Sequence, residues 1–314
     1  MEDEPGFAEL SDAQLDAIIR RHLPDVALES VERLPSTGVV NSIYALGSRY
    51  VLRVPRATEE ALRDTHTEVV AAPVAREAGL RTPALIAFDE SCALLDVPFT
   101  IFERVPGFSL APATMDDPSN APIWRDLGHE LAILHMRVET CADPKGWLDQ
   151  PGRDEVPAPF LDALSSTGYL SPDLRHWLGT LLDRLQPAVH QARTYRRFLH
   201  NDATPSNVIA DKGRFSALID WGDAGWGDPA LEFRCLPLRV VPEVLAGYRQ
   251  VGPLDGDDNA EARIVHDHIV TALFYATRAA EPQVQHWGRP PVGRLLEILA
   301  FATDHRDDWA RWIA

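Results

Sequence analysis

The stretch FLHNDATPSNVIADKGRFSALIDWGDAGWGD, which runs from Phe198 to Asp228, alternates short apolar runs with closely spaced polar residues. The apolar runs predict a short strand, a loop and a hairpin, in that order. Asp202 and Asn207 then lie on the loop, and Asp220 lies where the hairpin ends. We therefore expect two carboxylates and one carboxamide to meet at one place.

These three side chains suit the transfer of a phosphoryl group. Such a transfer needs a hydroxyl held in line, Mg²⁺ bridging phosphate oxygens and a carboxylate near the hydroxyl proton. Asp202 would orient the hydroxyl and accept its proton, while Asn207 and Asp220 would bind Mg²⁺ as hard oxygen ligands. With His200, the loop fits the pattern H-x-D-x-x-x-x-N of kinase catalytic loops. On spacing alone, roles as turn residues and a strand-end cap stay open.

Length and charge narrow the class of protein. The chain has 314 residues, 45% of them hydrophobic, which favours two lobes around a substantial core. Its net charge is −17, and a general nucleic-acid binder needs a basic surface instead. The acidity would attract a cationic small molecule, and the open alternative is that it merely keeps the protein soluble.

Targeting and cysteine signals are weak. No basic segment followed by an apolar run opens the chain, and no apolar stretch approaches about 18 residues, so we expect a cytoplasmic protein without membrane contact. Cys92, Cys141 and Cys235 stand far apart, outside any C-x-x-C spacing. They predict neither a disulfide framework nor a zinc site, but three small buried side chains.

The first hundred residues predict a sheet that carries a buried cation. Residues 28–55 indicate three antiparallel strands after a short helix capped at Ser11. Arg53 lies in the middle of the last strand, Tyr50–Val54, where a phosphate-binding base would project. An edge-strand arginine facing water is the open alternative. The hairpin at Leu34–Asn41 could cover phosphates, but its single glycine also fits an ordinary turn.

A helix over Thr65–Ala78 would place Glu68 in its first turn. Glu68 then serves either in a capping box or as the carboxylate that orients Arg53. Two further strands follow, and Pro106-Gly107 after them is the best linker candidate. We therefore predict a nucleotide-binding lobe over residues 1–104 and a catalytic, acceptor-binding lobe over residues 105–314.

The second lobe is predicted to be mainly helical. One helix covers Asp116–Val138, with His135 as a buried or boundary histidine, and another begins at Ser171-Pro172 and ends at Pro187. Two terminal helices are predicted over 257–280 and 291–314. On the first of these, His266 and His268 are expected to face solvent rather than to bind a metal.

Three segments, LHNDATPSNVI, LIDWGDAGWGDPALEF and YVLRVP, together resemble the aminoglycoside phosphotransferase family of small-molecule kinases. This resemblance implies an α+β, two-lobed protein-kinase-like fold. The N-lobe would hold a five-stranded antiparallel sheet and one main helix, and the mostly helical C-lobe would hold a short catalytic hairpin. The hairpin pattern GR-x-x-A-x-IDW also resembles hygromycin-type phosphotransferases.

The resemblance implies a role for each matching residue. Asp202 would be the catalytic aspartate and Asn207 and Asp220 the magnesium ligands. Arg53 would be the phosphate-binding base and Glu68 its helix partner.

Further positions would support this site. Glu103 and Val105 would form the hinge whose backbone meets the adenine of ATP or GTP. His200 and Asp228 would brace the catalytic loop without performing chemistry.

Three residues near Asp220 are candidates for the acceptor pocket, although a surface or helix-cap role stays open for each: Asp223, Trp226 and Glu232. The chain also departs from the family pattern at three positions. Asn201 stands where glycine is usual, Arg53 where many members have lysine, and Glu232 where aspartate is common.

We therefore predict an ATP- or GTP- and Mg²⁺-dependent phosphotransferase that acts on a hydroxyl of a small, cationic acceptor, with an aminoglycoside or related antibiotic as the first candidate. A monomer or weak dimer is expected. The alternatives are a metabolic kinase acting on choline, homoserine or a sugar, and a non-catalytic nucleotide-binding scaffold. A protein kinase is disfavoured because Trp221-Gly222 follows Asp220 and no A-P-E segment is present.

Overall fold

The computed structural model describes residues 9–25, 31–34, 41–110, 117–148, 157–280, 288–304 and 307–313. The first helix, α1, covers Asp12–His22. Its capping box is present as predicted: Gln14 N donates to Ser11 Oγ at 3.3 Å, and Ser11 N donates to Gln14 Oε1 at 2.9 Å.

A five-stranded antiparallel sheet follows, with strand order β1-β2-β3-β5-β4. Arg53 pairs with Ile43 on one side and Thr100 on the other, so it lies on a central strand and not at an edge. Leu52 and Val54 are buried, and alternation along the strand puts Arg53 on the opposite face. The strands are β1 Val31–Arg33, β2 Asn41–Leu46, β3 Tyr50–Pro55, β4 Leu85–Asp89 and β5 Phe99–Glu103.

The main helix of this lobe, α2, spans Glu59–Glu77, so the predicted start at Thr65 is wrong. Thr58 is the N-cap: its Oγ1 accepts a hydrogen bond from Ala61 N at 3.2 Å. Thr65 instead donates its hydroxyl to Ala61 O at 2.9 Å, inside the helix. Glu68 therefore lies in the middle of α2, and the capping-box interpretation of Glu68 is wrong.

The rest of the described chain is mainly helical, as predicted, with two small sheets. Strand β8 lies between β6 and β9, and β10 pairs with β7. Its helices are α3 Ala121–Arg137, α4 Ala158–Ser166, α5 Pro172–Gln191, α6 Val241–Val251, α7 Ala260–Ala276, α8 Gly293–Thr303 and α9 Asp307–Ile313. Its strands are β6 Phe108–Ser109, β7 Arg197–Leu199, β8 Val208–Asp211, β9 Arg214–Leu218 and β10 Gly225–Gly227.

Several helix boundaries in the second lobe differ from prediction, and α3 begins at Ala121, later than the predicted Asp116. Helix α5 starts after the Ser171 cap but continues through Pro187, because its buried leucines hold the helix despite one lost backbone hydrogen bond. The described part of the C-terminal region contains three helices, α7, α8 and α9, where two were predicted. Residues 305, 306 and 314 of the second predicted segment lie outside the described residues.

The buried apolar residues form two clusters. The smaller lies between α1 and the sheet, and the larger fills the helical lobe and takes in Ala71, Ala72 and Ala75 of α2. Helix α2 thus packs against the helical lobe as well as the sheet, which fixes its position over the loops of that lobe. The division at residues 104 and 105 stays a prediction.

Helices α3 and α6 cross at glycines. A Cβ on Gly128 would lie 1.9 Å from Val244 O, and one on Gly247 would lie 2.0 Å from Arg125 O. Only glycine permits backbones to approach so closely. Helix α3 of this pair also packs against β7 and β9.

The burial of the three cysteines differs from prediction. Cys92 is exposed and the other two cysteines are only partly buried, so the prediction of three buried thiols is wrong. Among the described helices, none has the length and apolarity needed to cross a membrane.

Candidate active site

Asp202 and Asn207 lie on the loop between β7 and β8, as predicted. Asn207 Nδ2 donates to the backbone O of Asp202 and to its Oδ2, both at 2.8 Å. These bonds use the donors of the Asn207 carboxamide and leave its Oδ1 as an acceptor. The loop therefore presents one carboxylate and one carboxamide oxygen side by side.

His200 joins this loop to the segment that carries Asp220. Its Nδ1 accepts from Asp202 N at 3.2 Å, so Nε2 carries the hydrogen and donates to Ile219 O at 3.0 Å. Burial lowers the pKa of His200, which keeps the ring neutral and suited to these two bonds. The placement agrees with a bracing role.

Arg53 reaches two carboxylates at once. Its Nη1 donates to Glu68 Oε1, and its Nη2 donates to Asp220 Oδ1 at 2.7 Å. Asp220 adopts a left-handed backbone conformation with φ of +70°. The structure thus brings together side chains from β3, α2 and the end of the β9 hairpin, as the sequence predicted.

Burial and nearby charges have opposite effects on the pKa values of Arg53, Glu68 and Asp220. Burial alone would raise the pKa of Asp220, but the charge and hydrogen bond of Arg53 outweigh it and lower the pKa. Burial raises the pKa of Glu68 despite its contact with Arg53. Burial also disfavours the Arg53 cation, yet the two carboxylates raise its pKa further above the usual range. Arg53 is therefore always charged.

The pKa of Asp202 lies well above its ordinary value. Burial is the main cause, followed by the negative charges of Asp223 and Asp220, while the hydrogen bond from Asn207 acts in the opposite direction. A raised pKa makes this carboxylate a stronger base.

The oxygen donors present would suit Mg²⁺. Asn207 Oδ1 and the second oxygen of Asp220 are hard ligands on adjoining segments. Among the described residues no group of three His, Cys, Asp or Glu side chains has the arrangement of a metal site. Phosphate oxygens and water would therefore have to complete the coordination.

The predicted hinge lies at the end of β5. Glu103 N donates to Ala84 O at 2.9 Å, and its side chain accepts from Ala84 N at 3.3 Å. Val105 follows in the connection to β6. Contact with adenine stays a prediction for both residues. The hairpin predicted over phosphates lies largely in residues 35–40, outside the described residues.

Asp228 caps the 3₁₀ helix Pro229–Cys235. Its Oδ1 accepts from Ala230 N at 3.0 Å and faces Arg263 Nη1 at 3.4 Å. Burial raises its pKa to about 7, while Arg263 opposes the shift. The cap orients the turn that carries Glu232, which agrees with a supporting role.

Glu232 does not line a pocket. The side chain is fully buried, and its carboxylate accepts hydrogen bonds from His200 N and Asn201 N, each at 2.9 Å. The placement disagrees with the predicted acceptor contact, because Glu232 lies beneath the catalytic loop. Its apolar neighbours Leu231 and Phe233 were the sequence signal that a buried carboxylate was present.

A cavity of about 570 Å³ opens beside Asp223, between α2 and the segment after Asp220. Asp64, one turn before Glu68, was not predicted to belong to it. Burial and the charges of Asp223 and Asp220 raise the pKa of Asp64 to about 7. The acidic and aromatic residues of the cavity are Glu59, Glu60, Asp64, Asp223, Trp147 and Trp226.

A second cavity of about 840 Å³ lies on the other side of Trp226, against α4, α5 and α7. The two cavities share Trp226, Leu231 and Arg234. His266 lines the second cavity, and both it and His268 are buried, so the predicted solvent-facing position of this pair is wrong. Helix α7 is covered on opposite faces, which buries alternate positions together.

Comparison with known proteins agrees with this geometry. The family model described as the phosphotransferase enzyme family (APH) matches residues 31–258. A comparison with curated protein sequences gives no significant match.

Solved structures share the fold at low sequence identity. The GDP complex of wild-type aminoglycoside 2'-phosphotransferase-IIIa is 16% identical, with 94% of this chain and all 100% of that chain covered and a TM-score of 0.64. A choline/ethanolamine kinase family protein from Mesorhizobium loti is 17% identical, with 95% and 97% covered and a TM-score of 0.59. Macrolide 2'-phosphotransferase from Brachybacterium faecium is 17% identical, with 96% and 98% covered and a TM-score of 0.54.

Proposed function

The chain belongs to the phosphotransferase enzyme family, and on that premise we propose that it transfers the γ-phosphate of ATP or GTP to a hydroxyl of a small molecule. One observation carries the proposal. Arg53 bonds both Glu68 and Asp220, while Asp202 and Asn207 lie on the neighbouring loop. A charged phosphate site and a strong carboxylate base are therefore adjacent.

Each residue would have a defined part in the transfer. Asp202 would orient the acceptor hydroxyl and take its proton, since burial and two nearby carboxylates raise its pKa. Asn207 and Asp220 would hold Mg²⁺, which when bound neutralises charge on the phosphate oxygens. Arg53 would contact the phosphates, and its guanidinium requires no lysine-like chemistry there.

The donor nucleotide would lie against the end of β5. Glu103 and Val105 provide backbone groups at the connection between the sheet and the helical lobe. Structural neighbours have been solved with GDP, ATP and ADP, which supports the binding of a nucleotide. We expect the reaction to take place in the cytoplasm, where ATP is available, and the protein to be a monomer or weak dimer.

The acceptor would occupy the cavity beside Asp223. Four acidic side chains there, from Glu59, Glu60, Asp64 and Asp223, outnumber the two arginines of the lining, Arg63 and Arg234. This excess of negative charge would favour a cation, and Trp226 offers an aromatic face. An aminoglycoside or related antibiotic meets these requirements, with resistance as the biological role.

A metabolic kinase is the second candidate. The cavity combines two aromatic side chains, Trp147 and Trp226, with carboxylates. This combination would also suit a small amino alcohol such as choline, because quaternary ammonium groups bind aromatic faces.

A substrate panel tests these functions together. The purified protein is incubated with Mg²⁺ and ATP or GTP and with aminoglycosides, macrolides, choline, homoserine or sugars, and phosphorylated product is detected by mass spectrometry. Asp202→Asn serves as the inactive control. Transfer to an antibiotic supports the first proposal, and transfer only to a metabolite supports the second. Binding of ATP with Mg²⁺ without phosphorylation of any acceptor would favour the non-catalytic scaffold.

A further inference from the structure

Asn201, between His200 and Asp202, adopts an unusual backbone conformation. Its φ is +66°, a left-handed value that non-glycine residues keep only where their surroundings hold them. Three of its polar groups bind three different segments. The backbone N donates to Glu232 Oε1 at 2.9 Å, the backbone O accepts from Cys235 Sγ at 3.0 Å, and the side-chain Nδ2 donates to Asp223 O at 3.1 Å.

The side-chain bond has a specific mechanical effect. It ties the loop that carries Asp202 to the segment that follows Asp220. His200 ties the same loop to Ile219, on the other side of Asp220. Asp220 is therefore held from both sides. A glycine at position 201 could adopt the same backbone conformation but could not make the bond to Asp223.

A buried chain of hydrogen bonds supports this arrangement from below. The Glu232 carboxylate accepts the N–H groups of His200 and Asn201, and His135 Nε2 lies 3.4 Å from it. Tyr248 Oη lies 3.1 Å from His135 Nδ1. Burial alone would raise the pKa of Glu232, but the hydrogen bond and charge of His135 outweigh it, so the carboxylate stays ionised.

The far end of this series of hydrogen bonds lies on two closely packed helices. His135 lies on α3 and Tyr248 on α6. The backbones of these two helices are in close contact where Gly128 meets Val244 O. Movement of the catalytic loop would break several buried hydrogen bonds at once. The loop that carries Asp202 is therefore held by buried hydrogen bonds. The Asn201 side chain in turn connects this loop to the segment that follows Asp220.

We propose that Asn201 is a positioning residue for phosphoryl transfer, and that its bond to the Asp223 carbonyl holds Asp202 and Asp220 at their working separation. The inference rests on the proposed function. Asn201 also lines the cavity proposed for the acceptor, so a positioning role requires that its loss leave the KM for the acceptor unchanged. Its loss should slow turnover without weakening the binding of nucleotide, because the contacts of Arg53 are unaffected.

Asn201→Gly is the informative variant, since it keeps the backbone conformation and removes the bond. We expect kcat to fall about tenfold, while the KM for ATP and the KM for the acceptor each stay within about twofold. Amide hydrogen exchange in residues 221–225 should become faster. Lys212→Gly is the matched control, because Lys212 is an exposed turn residue with φ of +51°. This variant should leave kcat, KM and the exchange of residues 221–225 unchanged.

The two proposals fail in different ways. An unchanged kcat in Asn201→Gly overturns the positioning role, whether or not exchange becomes faster. If the wild-type protein transfers no phosphate, the proposed function fails, and the exchange measurement still decides whether Asn201 ties the two segments. Unchanged exchange in residues 221–225 would refute that tie.

Discussion

Arg53 and Asp220 are 167 residues apart in sequence, yet Arg53 Nη2 donates to Asp220 Oδ1 at 2.7 Å. Arg53 also bonds Glu68, so one guanidinium joins the sheet, the main helix of the first lobe and the end of the catalytic hairpin. The pair connects the five-stranded sheet to the segment that follows β9. A bound nucleotide would have to share Arg53 with Asp220.

Replacing Arg53 with methionine should destabilise the protein strongly. Only 12% of the Arg53 side chain and 6% of the Glu68 side chain are exposed, so the variant leaves a buried carboxylate without its cation. We expect a loss of about 3–5 kcal/mol in the free energy of unfolding, measured in urea. Arg49→Met, at an exposed arginine before β3, should lose little. Equal stability of the two variants would contradict the buried ion pair.

Replacing Asp202 with asparagine should slow phosphate transfer by about 10²–10⁴-fold, because the base is lost. In the wild-type protein the rate should rise with pH through the raised pKa of Asp202, since only the ionised carboxylate accepts a proton. Initial rates over a range of pH check both statements, and the variant should lack this rise. A variant that keeps the wild-type rate would remove Asp202 from the mechanism.

Asp64→Asn should make stability less dependent on pH. The folded pKa of Asp64 is raised from 3.8 to about 7, so the folded state binds its proton more tightly than the unfolded state. The contribution of Asp64 to stability therefore falls as pH rises from about 4 to about 7 and stays level above that. Thermal unfolding should show the variant gaining on the wild type across this window. Glu77→Gln, at an exposed position of the same helix, should show no such trend.

Trp226→Leu should affect the acceptor more than the nucleotide. Trp226 lines both cavities and packs edge-on against Phe198, with 5.1 Å between ring centroids. We expect the KM for a cationic acceptor to rise about tenfold while the KM for ATP changes little. Trp177→Leu, on an exposed face of α5, is the control. A rise in both KM values would instead indicate a general change in the cleft.

Two glycine-to-alanine variants should move stability in opposite directions. A Cβ on Gly128 would lie 1.9 Å from Val244 O, so Gly128→Ala must separate α3 from α6, at a cost of about 1–3 kcal/mol or more. Gly179 lies within α5 with no atom within 4 Å of an added Cβ, so Gly179→Ala should stabilise the protein by about 0.5–1 kcal/mol. Urea unfolding measures both. A tolerated Gly128→Ala would show that the helix pair can move.

Local patterns predicted most of the fold because their causes are local. The capping box at Ser11, the alternation in β3 and the Ser171-Pro172 helix start each depend on a few neighbouring residues. The start of α2 was predicted too late because Thr65 imitates a cap, while the true cap at Thr58 is followed by fewer apolar residues. Pro187 was a misleading stop signal, since tertiary packing continues the helix past it.

The chain's sequence by itself determined which chemical groups lie close together along the chain: Asp202 and Asn207 on one loop, with Asp220 at the end of the hairpin that follows. Tertiary structure alone decided which partners these residues meet. Glu232 was expected in a pocket and instead supports the catalytic loop from the core, and Asp64 was not expected at the site. Contacts between residues far apart in sequence depend on how lobes and helices pack, and no local spacing encodes that packing.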